Sequence, residues 1–369
     1  MVKSDQPNNT LPKLPPPDVS LETVENLKLC IQASRALSRL DGQTSTTYRN
    51  FANAINMIRL FSIPEAVASS AVENIITTVA EALQARALPT EKLPPALKET
   101  DSYTEAIALG STLLSDKSYL ATNDYIAIQK TLDLPQQGIR KLPGYRIADD
   151  KTLKVHYTPP EGEGVIRAML KDFEDYFNDD SDEGQILIKV ALIHYQFEAI
   201  HPFPDGNGRI GRILMPLYLV KHGYLRYPIL FLSEYIFNNK SEYYRRLRDV
   251  TYKNQWGEWV QYILEGIILQ ANKTSQALDQ VAHEAIRYED LVTEDVIPKF
   301  RQRNVIDFLF SNVAFNIDML STSLSVSKNT ASSYLNALVK AKLLETAFVH
   351  RKKIFFIPKV ISILGNTQK

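Results

Sequence analysis

Cysteine is nearly absent from the sequence, since Cys30 is the only one in 369 residues. A single cysteine can build neither a disulfide framework nor a cysteine-based zinc site, so Cys30 is expected to be a small core residue in a reducing compartment. Net charge is absent too, because 42 basic side chains balance 42 acidic ones. This balance argues against a globally basic nucleic-acid coat and against an acidic tail.

The sequence also lacks an apolar run long enough to span a bilayer, and no membrane contact is expected. Its first 17 residues are polar and rich in proline, unlike the apolar core of a signal peptide, which favours a cytoplasmic protein. Clustered prolines favour polyproline conformation, so residues 1–17 are predicted to form a mobile or extended arm.

The spacing of apolar residues predicts a mainly α-helical chain that begins with a helical N-terminal domain over 1–100. One helix is expected over about 20–41, with Gly42 ending it. Another is expected over about 62–88, because the stretch Ser62-Ile63-Pro64-Glu65 has capping-box spacing and an early proline.

Residues 101–285 are predicted to form a helical core. Alternating residues, with turn residues at Asp149 and Asp150, predict a β-hairpin over about 145–158 whose second strand ends at Tyr157. Helices are expected at about 101–114, 122–132, 163–178, 184–199, 209–223, 239–252 and 255–285.

The balance of charge changes near residue 299. The segment Lys299–Lys359 has ten Lys or Arg side chains against three acids, a net charge of +7. Within it a helix, a tight turn, a second helix and two short β-runs predict a winged helix-turn-helix over 290–369. The basic residues at the predicted wing are His350, Arg351, Lys352 and Lys353.

Three of the chain's 14 glycines fall in HPFPDGNGRIGR, residues 201–212. Glycine-rich loops that open a helix bind phosphates, because unpaired N–H groups and the helix dipole both favour an anion. Arg209 and Arg212 lie three residues apart on the first turn, where positive charge is unfavourable unless an anion bridges it. The pattern therefore indicates a polyphosphate site.

Two further side chains of this motif suit nucleotide chemistry. Asp205 could hold Mg²⁺, which takes carboxylate oxygen and otherwise keeps water. His201 has an ordinary pKa near neutrality, which suits a base that removes a proton from an attacking hydroxyl. Two alternatives remain open: a glycine-rich connector with surface arginines, and a metal site built from His194, Glu198 and His201. His194 falls on an apolar stripe, which favours a core histidine.

The motif resembles the signature of the Fic (Fic/Doc) family: His-Pro-Phe, any residue, Asp or Glu, Gly-Asn-Gly-Arg, two residues, Arg. Every fixed position is filled. IHYQFEAI, the hairpin ending in YTPP, and PILFLSEYIFNNKSEYYRRL are also similar to this family, as are the proline-rich start and both terminal domains. The resemblance covers almost the whole chain, most strongly about 100–270, and implies a Fic-type helical core with a β-hairpin flap.

The resemblance also implies a reaction, the transfer of AMP from ATP to a protein hydroxyl with release of pyrophosphate. His201 would deprotonate a Ser, Thr or Tyr of a target protein held along the flap, and Asp205 would hold Mg²⁺. Tyr243 and Tyr244 fall where the family lines its adenine pocket; Tyr244 is favoured, and aromatic packing is the alternative. The remaining residues implied to bind ATP are Gly206, Asn207, Gly208, Arg209, Ile210, Gly211 and Arg212, with the two arginines on the outer phosphates.

A second stretch, Ser69–Asn74, fits the family's inhibitory pattern: Ser or Thr, three residues, Glu, then Gly or Asn. It precedes the core, as in the class that its own N-terminal region inhibits. The expected helix has a wide apolar arc, and Glu73 shares its narrow polar strip with Ser69 and Thr77. A carboxylate held there needs a partner, and the resemblance supplies Arg212. Glu73 would occupy the place of the γ-phosphate and hold ATP unproductively.

Other functions fit the same sequence. The intact motif also permits the reverse reaction, in which Glu73 positions a water and the site removes AMP. A DNA-binding regulator with a nucleotide-sensing Fic unit is a further hypothesis, because the C-terminal segment is basic and has a wing. Winged helices also serve as docking or dimer modules, and family members often form homodimers. The chain is itself a candidate target.

Overall fold

The computed structural model is mainly α-helical, which confirms the predicted fold class. No helix in the part of the chain that it describes is long and apolar enough to cross a membrane. The described residues are 3–17, 19–47, 54–88, 93–148, 152, 154–181, 184–294, 296–349 and 351–365.

Fifteen helices and five short strands occur among the described residues. The helices are α1 Val24–Thr47, α2 Ala54–Val72, α3 Val79–Ala85, α4 Pro95–Lys117, α5 Thr122–Thr131, α6 Glu163–Asn178, α7 Ile186–Ile200, α8 Asn207–Lys221, α9 Ser233–Asn238, α10 Lys240–Lys253, α11 Trp256–Leu291, α12 Lys299–Asn312, α13 Ile317–Leu324, α14 Lys328–Lys340 and α15 Pro358–Gly365. The strands are β1 Ile147–Ala148, β2 Val155–Tyr157, β3 Ala314–Phe315, β4 Glu345–Val349 and β5 Lys352–Phe356.

The chain divides into two compact units. The core unit consists of Met1–Ser38 and Glu105–Ala271, and the second unit of Arg39–Thr104 and Asn272–Lys369. These limits differ from the predicted division at residues 100 and 290, because α1, α4 and α11 each have residues in both units. Where a boundary between units falls inside a continuous helix, no turn residue or break in the apolar pattern marks it in the sequence.

The core unit is organised around α7, which is buried along nearly its whole length. A helix that is apolar all round must be surrounded by protein, and α6 and α8 pack against α7. Phe197 of α7 joins an aromatic cluster with Tyr125 and Phe173. Burial of this helix fixes its last residue, and therefore the loop that follows, on a rigid support.

The β-hairpin is present and antiparallel, as predicted, with Ile147 opposite Tyr157. The Tyr157 hydroxyl is buried and donates to the carbonyl of Ala199 at 2.8 Å. This bond fastens the base of the hairpin to the last turn of α7. The predicted turn residues, Asp149 and Asp150, lie outside the described residues.

The N-terminal arm, predicted to be mobile or extended, is hydrogen-bonded to the core unit. The amide of Asn8 donates to the Thr158 carbonyl at 3.1 Å, and the Thr158 hydroxyl donates back to the Ser4 carbonyl at 2.7 Å. Further along, the Gln196 side chain donates to the Pro12 carbonyl at 2.9 Å. An irregular backbone has no regular hydrogen bonds of its own to satisfy its N–H and C=O groups. Here other residues of the core unit supply those hydrogen-bond partners.

The two predicted N-terminal helices have different limits in the structure. Gly42 lies inside α1. An internal glycine lowers the stability of a helix by only about 1 kcal/mol relative to alanine, so the helix can continue through it. The helix predicted over 62–88 is two helices, α2 and α3, and Ser62 is internal to α2. The chain leaves α2 before Glu73, and Asn74 has a φ of 64°, in the left-handed region. The observed capping box is at Thr78, which begins α3, so the prediction at Ser62 was wrong.

The C-terminal part of the second unit has the predicted order of helix, turn, helix and two strands. The turn separates α13 from α14, and Ser327 caps α14 by accepting from the amide of Thr330. The strands form an antiparallel sheet in the order β3-β5-β4, with Val349 opposite Lys352 at the hairpin end. This arrangement is consistent with a winged helix-turn-helix. His350 lies outside the described residues.

Candidate active site

His201 ends α7 in an unusual backbone conformation. Its φ of 48° and ψ of 58° are left-handed, and its amide donates to the Phe197 carbonyl at 2.9 Å. A residue other than glycine in this region costs roughly 1–3 kcal/mol and persists only where its surroundings enforce it. The sharp turn takes the chain out of α7 at His201.

Arg140 holds the backbone of His201 in this conformation. Its buried guanidinium donates to the carbonyls of His201 at 2.7 Å, Pro160 at 2.8 Å and Ile200 at 3.3 Å. Burial lowers the pKa of Arg140, and three carbonyl acceptors compensate for the desolvated charge. A cation is also favourable at a helix C-terminus. No local pattern in the sequence points to Arg140, which lies 61 residues before His201.

The His201 ring is half-buried and contacts polar atoms on both sides. Its Nδ1 lies 3.3 Å from the carbonyl oxygen of Glu198, and its Nε2 lies 3.4 Å from the hydroxyl of Tyr145. A carbonyl only accepts hydrogen bonds, so Nδ1 carries the proton in the neutral ring. The Nε2 lone pair is therefore the basic position.

The loop after His201 is held by Asn207. The Asn207 amide is buried; it accepts from the amide of Phe203 and donates to the Phe203 carbonyl, both at 2.8 Å. Gly206 has a φ of 85°, and a Cβ there would lie 2.7 Å from Cδ1 of Leu134. Both features fix the path of the backbone into α8, and the side chain of Asn207 acts within the loop.

The N-terminus of α8 has the features expected of an anion site. The first amides of the helix have no intrahelical acceptor, and the helix dipole adds positive potential there. Arg209 and Arg212 follow within the first turns, and both side chains are buried. Two cations beside the positive end of a helix favour a ligand with several negative charges.

Asp205 lies at the edge of this site with its side chain 51% exposed. Its Oδ1 accepts from the amide of Gly206 at 2.6 Å and from Nη2 of Arg209 at 2.8 Å. Its Oδ2 has no hydrogen bond or ion pair within the described residues. One accessible carboxylate oxygen suits Mg²⁺ that arrives with phosphates, because this ion keeps most of its water and takes few protein ligands.

His194 is a core histidine, as its apolar stripe indicated. Its Nε2 lies 3.0 Å from the Tyr243 hydroxyl, and its ring stacks on Trp259 with centroids 5.9 Å apart. Burial, and then the charge of Arg212, lower the pKa of His194 to about 3, so the ring is neutral. Across the described ranges, no three His, Cys, Asp or Glu side chains form a group that could hold a metal ion.

Two residues of the predicted ATP-binding segment face the protein interior. Ile210 is fully buried, and a Cβ on Gly211 would come within 2.4 Å of the Glu198 carboxylate and 3.2 Å of the His194 ring. Gly211 therefore allows the close approach of α8 to α7. Any contact of Ile210 with a ligand would come from its backbone.

The two candidate adenine-contacting tyrosines differ in exposure. Tyr243 is buried against His194 and Trp259, whereas Tyr244 is 37% exposed and meets Tyr243 edge to face. Burial raises the pKa of Tyr243 well above its usual value. Tyr244 is the member of the pair that solvent and ligands can reach, and its role in adenine binding stays a prediction.

Glu73, the predicted inhibitory residue, lies in the second unit. Its side chain is exposed, and its amide donates to the Ser70 carbonyl at 3.0 Å in the turn that ends α2. The prediction that it lies on a helix shared with Thr77 was wrong, because Thr77 lies beyond the end of α2. The pairing of Glu73 with Arg212 stays a prediction.

Comparison with known families matches three parts of the chain. The Fic/DOC family matches residues 119–219, the Fic/DOC family N-terminal region matches 27–112, and the protein adenylyltransferase SoFic-like C-terminal domain matches 287–360. Together these segments cover the motif, the stretch around Glu73 and the C-terminal helices.

Curated relatives match over shorter stretches. A probable protein adenylyltransferase of Aquifex aeolicus (strain VF5) is 31% identical over 113 residues, which are 31% of this chain and 32% of the relative. Protein adenylyltransferase fic-1 of Caenorhabditis elegans is 28% identical over 156 residues, 41% of this chain and 29% of the relative. The chain thus spans about a third of the length of these relatives.

Solved structures share the fold. A Fic family protein from Desulfovibrio desulfuricans G20 has a TM-score of 0.56 at 21% identity, covering 93% of this chain and 98% of that one. Fic-1 (residues 134–508) of C. elegans has a TM-score of 0.53 at 19% identity, covering 69% of this chain and 73% of that one. At these identities the likeness establishes the fold alone.

Proposed function

The chain belongs to the Fic/DOC family, and from that premise we propose that it is a protein adenylyltransferase. It transfers AMP from ATP to a hydroxyl of a target protein and releases pyrophosphate. The observation that carries the proposal is the position of the Nε2 lone pair of His201, one short loop before the N-terminus of α8 and its two buried arginines.

Each part of the site has a role in this reaction. His201 takes the proton of the attacking hydroxyl as general base. The first amides of α8, with Arg209 and Arg212, bind the phosphates and stabilise the negative charge that develops on them. Asp205 holds Mg²⁺ through its carboxylate, and the bound ion supplies further charge neutralisation. Tyr244 is proposed to contact the adenine.

The second part of the proposal is inhibition by Glu73, which pairs with Arg212 in place of the γ-phosphate. The sequence pattern of Ser69–Asn74 supports this. Removal of the carboxylate should therefore leave Arg212 available to the phosphates.

The test is transfer of label from ATP labelled at the α-phosphate. Glu73→Gly should raise the label on protein well above that of the parent chain, and adding His201→Ala should abolish it. Asn74→Gly is the matched control, because glycine accepts the left-handed conformation of Asn74 and leaves the carboxylate in place. Its labelling should stay as low as that of the parent. Bound ATP without any transfer by the Glu73→Gly protein would count against the proposal.

The C-terminal elements favour a second function, contact with DNA. The wing strand β5 begins with exposed Lys352 and Lys353, and exposed Arg351 lies in the turn before it. The helix-turn-helix lies directly before the wing, as in modules that place one helix in a DNA groove. DNA binding and AMP transfer are compatible in one chain.

A further inference from the structure

A hydroxyl of the chain itself contacts the proposed base. The Tyr145 hydroxyl lies 3.4 Å from Nε2 of His201, and the two ring centroids are 5.4 Å apart at an interplanar angle of 40°. Tyr145 begins the approach to β1, the first strand of the flap. A hydroxyl from another protein would need to reach this same nitrogen.

The direction of the hydrogen bond follows from the tautomer. Nδ1 of His201 faces the Glu198 carbonyl and carries the proton, so Nε2 accepts and the Tyr145 hydroxyl donates. A hydroxyl that donates to an unprotonated imidazole has the ground-state arrangement for general-base activation. Heavy-atom distances of this kind commonly shorten when a substrate binds.

Arg140 adds a charge beside the same ring. Its guanidinium carbon lies 5.0 Å from the centroid of the Tyr145 ring. Three carbonyls hold this guanidinium in place. A fixed cation near a phenol stabilises the negative charge that develops on the oxygen as it attacks. A phenol also ionises near pH 10, far more readily than an aliphatic alcohol.

The backbone that carries Tyr145 lies at the surface. Residues 141–144 are exposed, and Gly144, directly before Tyr145, has a φ of 84° with no atom within 4 Å of its Cβ position. A surface segment of this kind can shift without disturbing the core. A movement of this segment that brings the hydroxyl to a phosphorus atom is therefore compatible with the fold.

We propose that Tyr145 is an intramolecular acceptor of AMP, an inference that rests on the proposed function. A bond forms between the Tyr145 oxygen and the α-phosphorus of ATP. The bond from that phosphorus to the oxygen bridging to the β-phosphate breaks, and pyrophosphate leaves with the electron pair. The hydroxyl proton passes to Nε2 of His201. The product is a phosphodiester on Tyr145, placed where the hydroxyl of an external target would bind.

The experiment uses the full-length Glu73→Gly chain with ATP and Mg²⁺. Intact-mass analysis should show one added AMP per chain, and sequencing of its peptides should place it on Tyr145. The fraction modified per unit time should be independent of protein concentration, since the reaction is intramolecular. His201→Ala in the same background should remove the adduct.

Two Tyr→Phe variants of the Glu73→Gly chain provide the matched comparison. Tyr145→Phe should lose the adduct, whereas Tyr119→Phe, at a 50% exposed tyrosine of the same unit, should keep it. An undiminished adduct in Tyr145→Phe, or AMP found only on other residues or other proteins, would overturn the inference and leave the proposed function standing. Absence of transfer to this chain and to every protein of a cell lysate would overturn both.

Discussion

The Nε of Arg140 donates to the carbonyl oxygen of His201 at 2.7 Å, and this contact holds the proposed base in a left-handed conformation. The same guanidinium also bonds the carbonyls of Ile200 and Pro160. One buried side chain thus ties the end of α7 to the segment that follows the flap. The backbone of the proposed base depends on a residue outside the family signature.

Arg140→Lys should lower both stability and AMP transfer. A lysine keeps the charge but cannot reach three carbonyls with a planar fork. Hydrogen bonds to charged groups contribute about 1.5–3 kcal/mol each, so the loss of one or two should reduce the free energy of unfolding by roughly 2–4 kcal/mol. Urea denaturation and the labelling rate in the Glu73→Gly background measure the two effects. Unchanged labelling would show that Arg140 does not position His201.

Gly206→Ala should destabilise the chain more than Gly223→Ala does. Both glycines have positive φ, 85° and 72°, so both substitutions carry a similar backbone cost of about 1 kcal/mol. Only at Gly206 does the new Cβ meet another group, Leu134, at 2.7 Å. The Leu134 side chain would have to move. Denaturation midpoints give the stability difference, and equal losses at the two sites would contradict this account.

Gly206→Ala should also weaken ATP binding, since the proposed anion site is built on the backbone of that turn. Gly223→Ala lies at the far end of α8, and its affinity for ATP should match that of the parent chain. Isothermal titration of the folded proteins with ATP and Mg²⁺ separates this effect from stability. Tighter or equal binding by Gly206→Ala would show that the turn is not the phosphate site.

His194 should make stability dependent on pH under acidic conditions. Its pKa is about 3 in the folded chain and about 6.5 when unfolded, so between these values only the unfolded state binds the proton. Stability from this group is complete above pH 6.5 and falls as the pH decreases towards 3, by up to about 1.4 kcal/mol per pH unit. His194→Gln should flatten this dependence, even though the variant is less stable. An equal slope in both proteins would contradict the assignment.

Contact with DNA should be salt-dependent and reside in the wing. The full-length chain should shift a DNA duplex at low salt, and the shift should weaken as salt rises. Lys352→Gln together with Lys353→Gln should weaken it further, whereas Lys253→Gln, in the core unit, should not. No shift at low salt would remove DNA as a partner.

Local chemistry explains which parts of the fold could be predicted. The helices from α5 to α8 and the flap hairpin follow strong periodicity and turn signals. The helix predicted over 62–88 was wrong at Glu73, because apolar spacing continues through a stretch in which Asn74 turns the backbone left-handed. Gly42 was wrongly predicted to end a helix. The residues on both sides of it are helical, and α1 continues through it.

The local sequence was enough to predict the chemistry of the loop from His201 to Arg212, because the proposed base, the glycines and the arginines are neighbours in the chain and their spacing brings them to one helix N-terminus. Only the tertiary structure placed Arg140 and Tyr145 against His201, from 61 and 56 residues away. Neither residue stands in a local pattern that points to His201. Their contacts exist because packing of the buried α7 brings the flap segment to its end, and that packing is a property of the whole core unit.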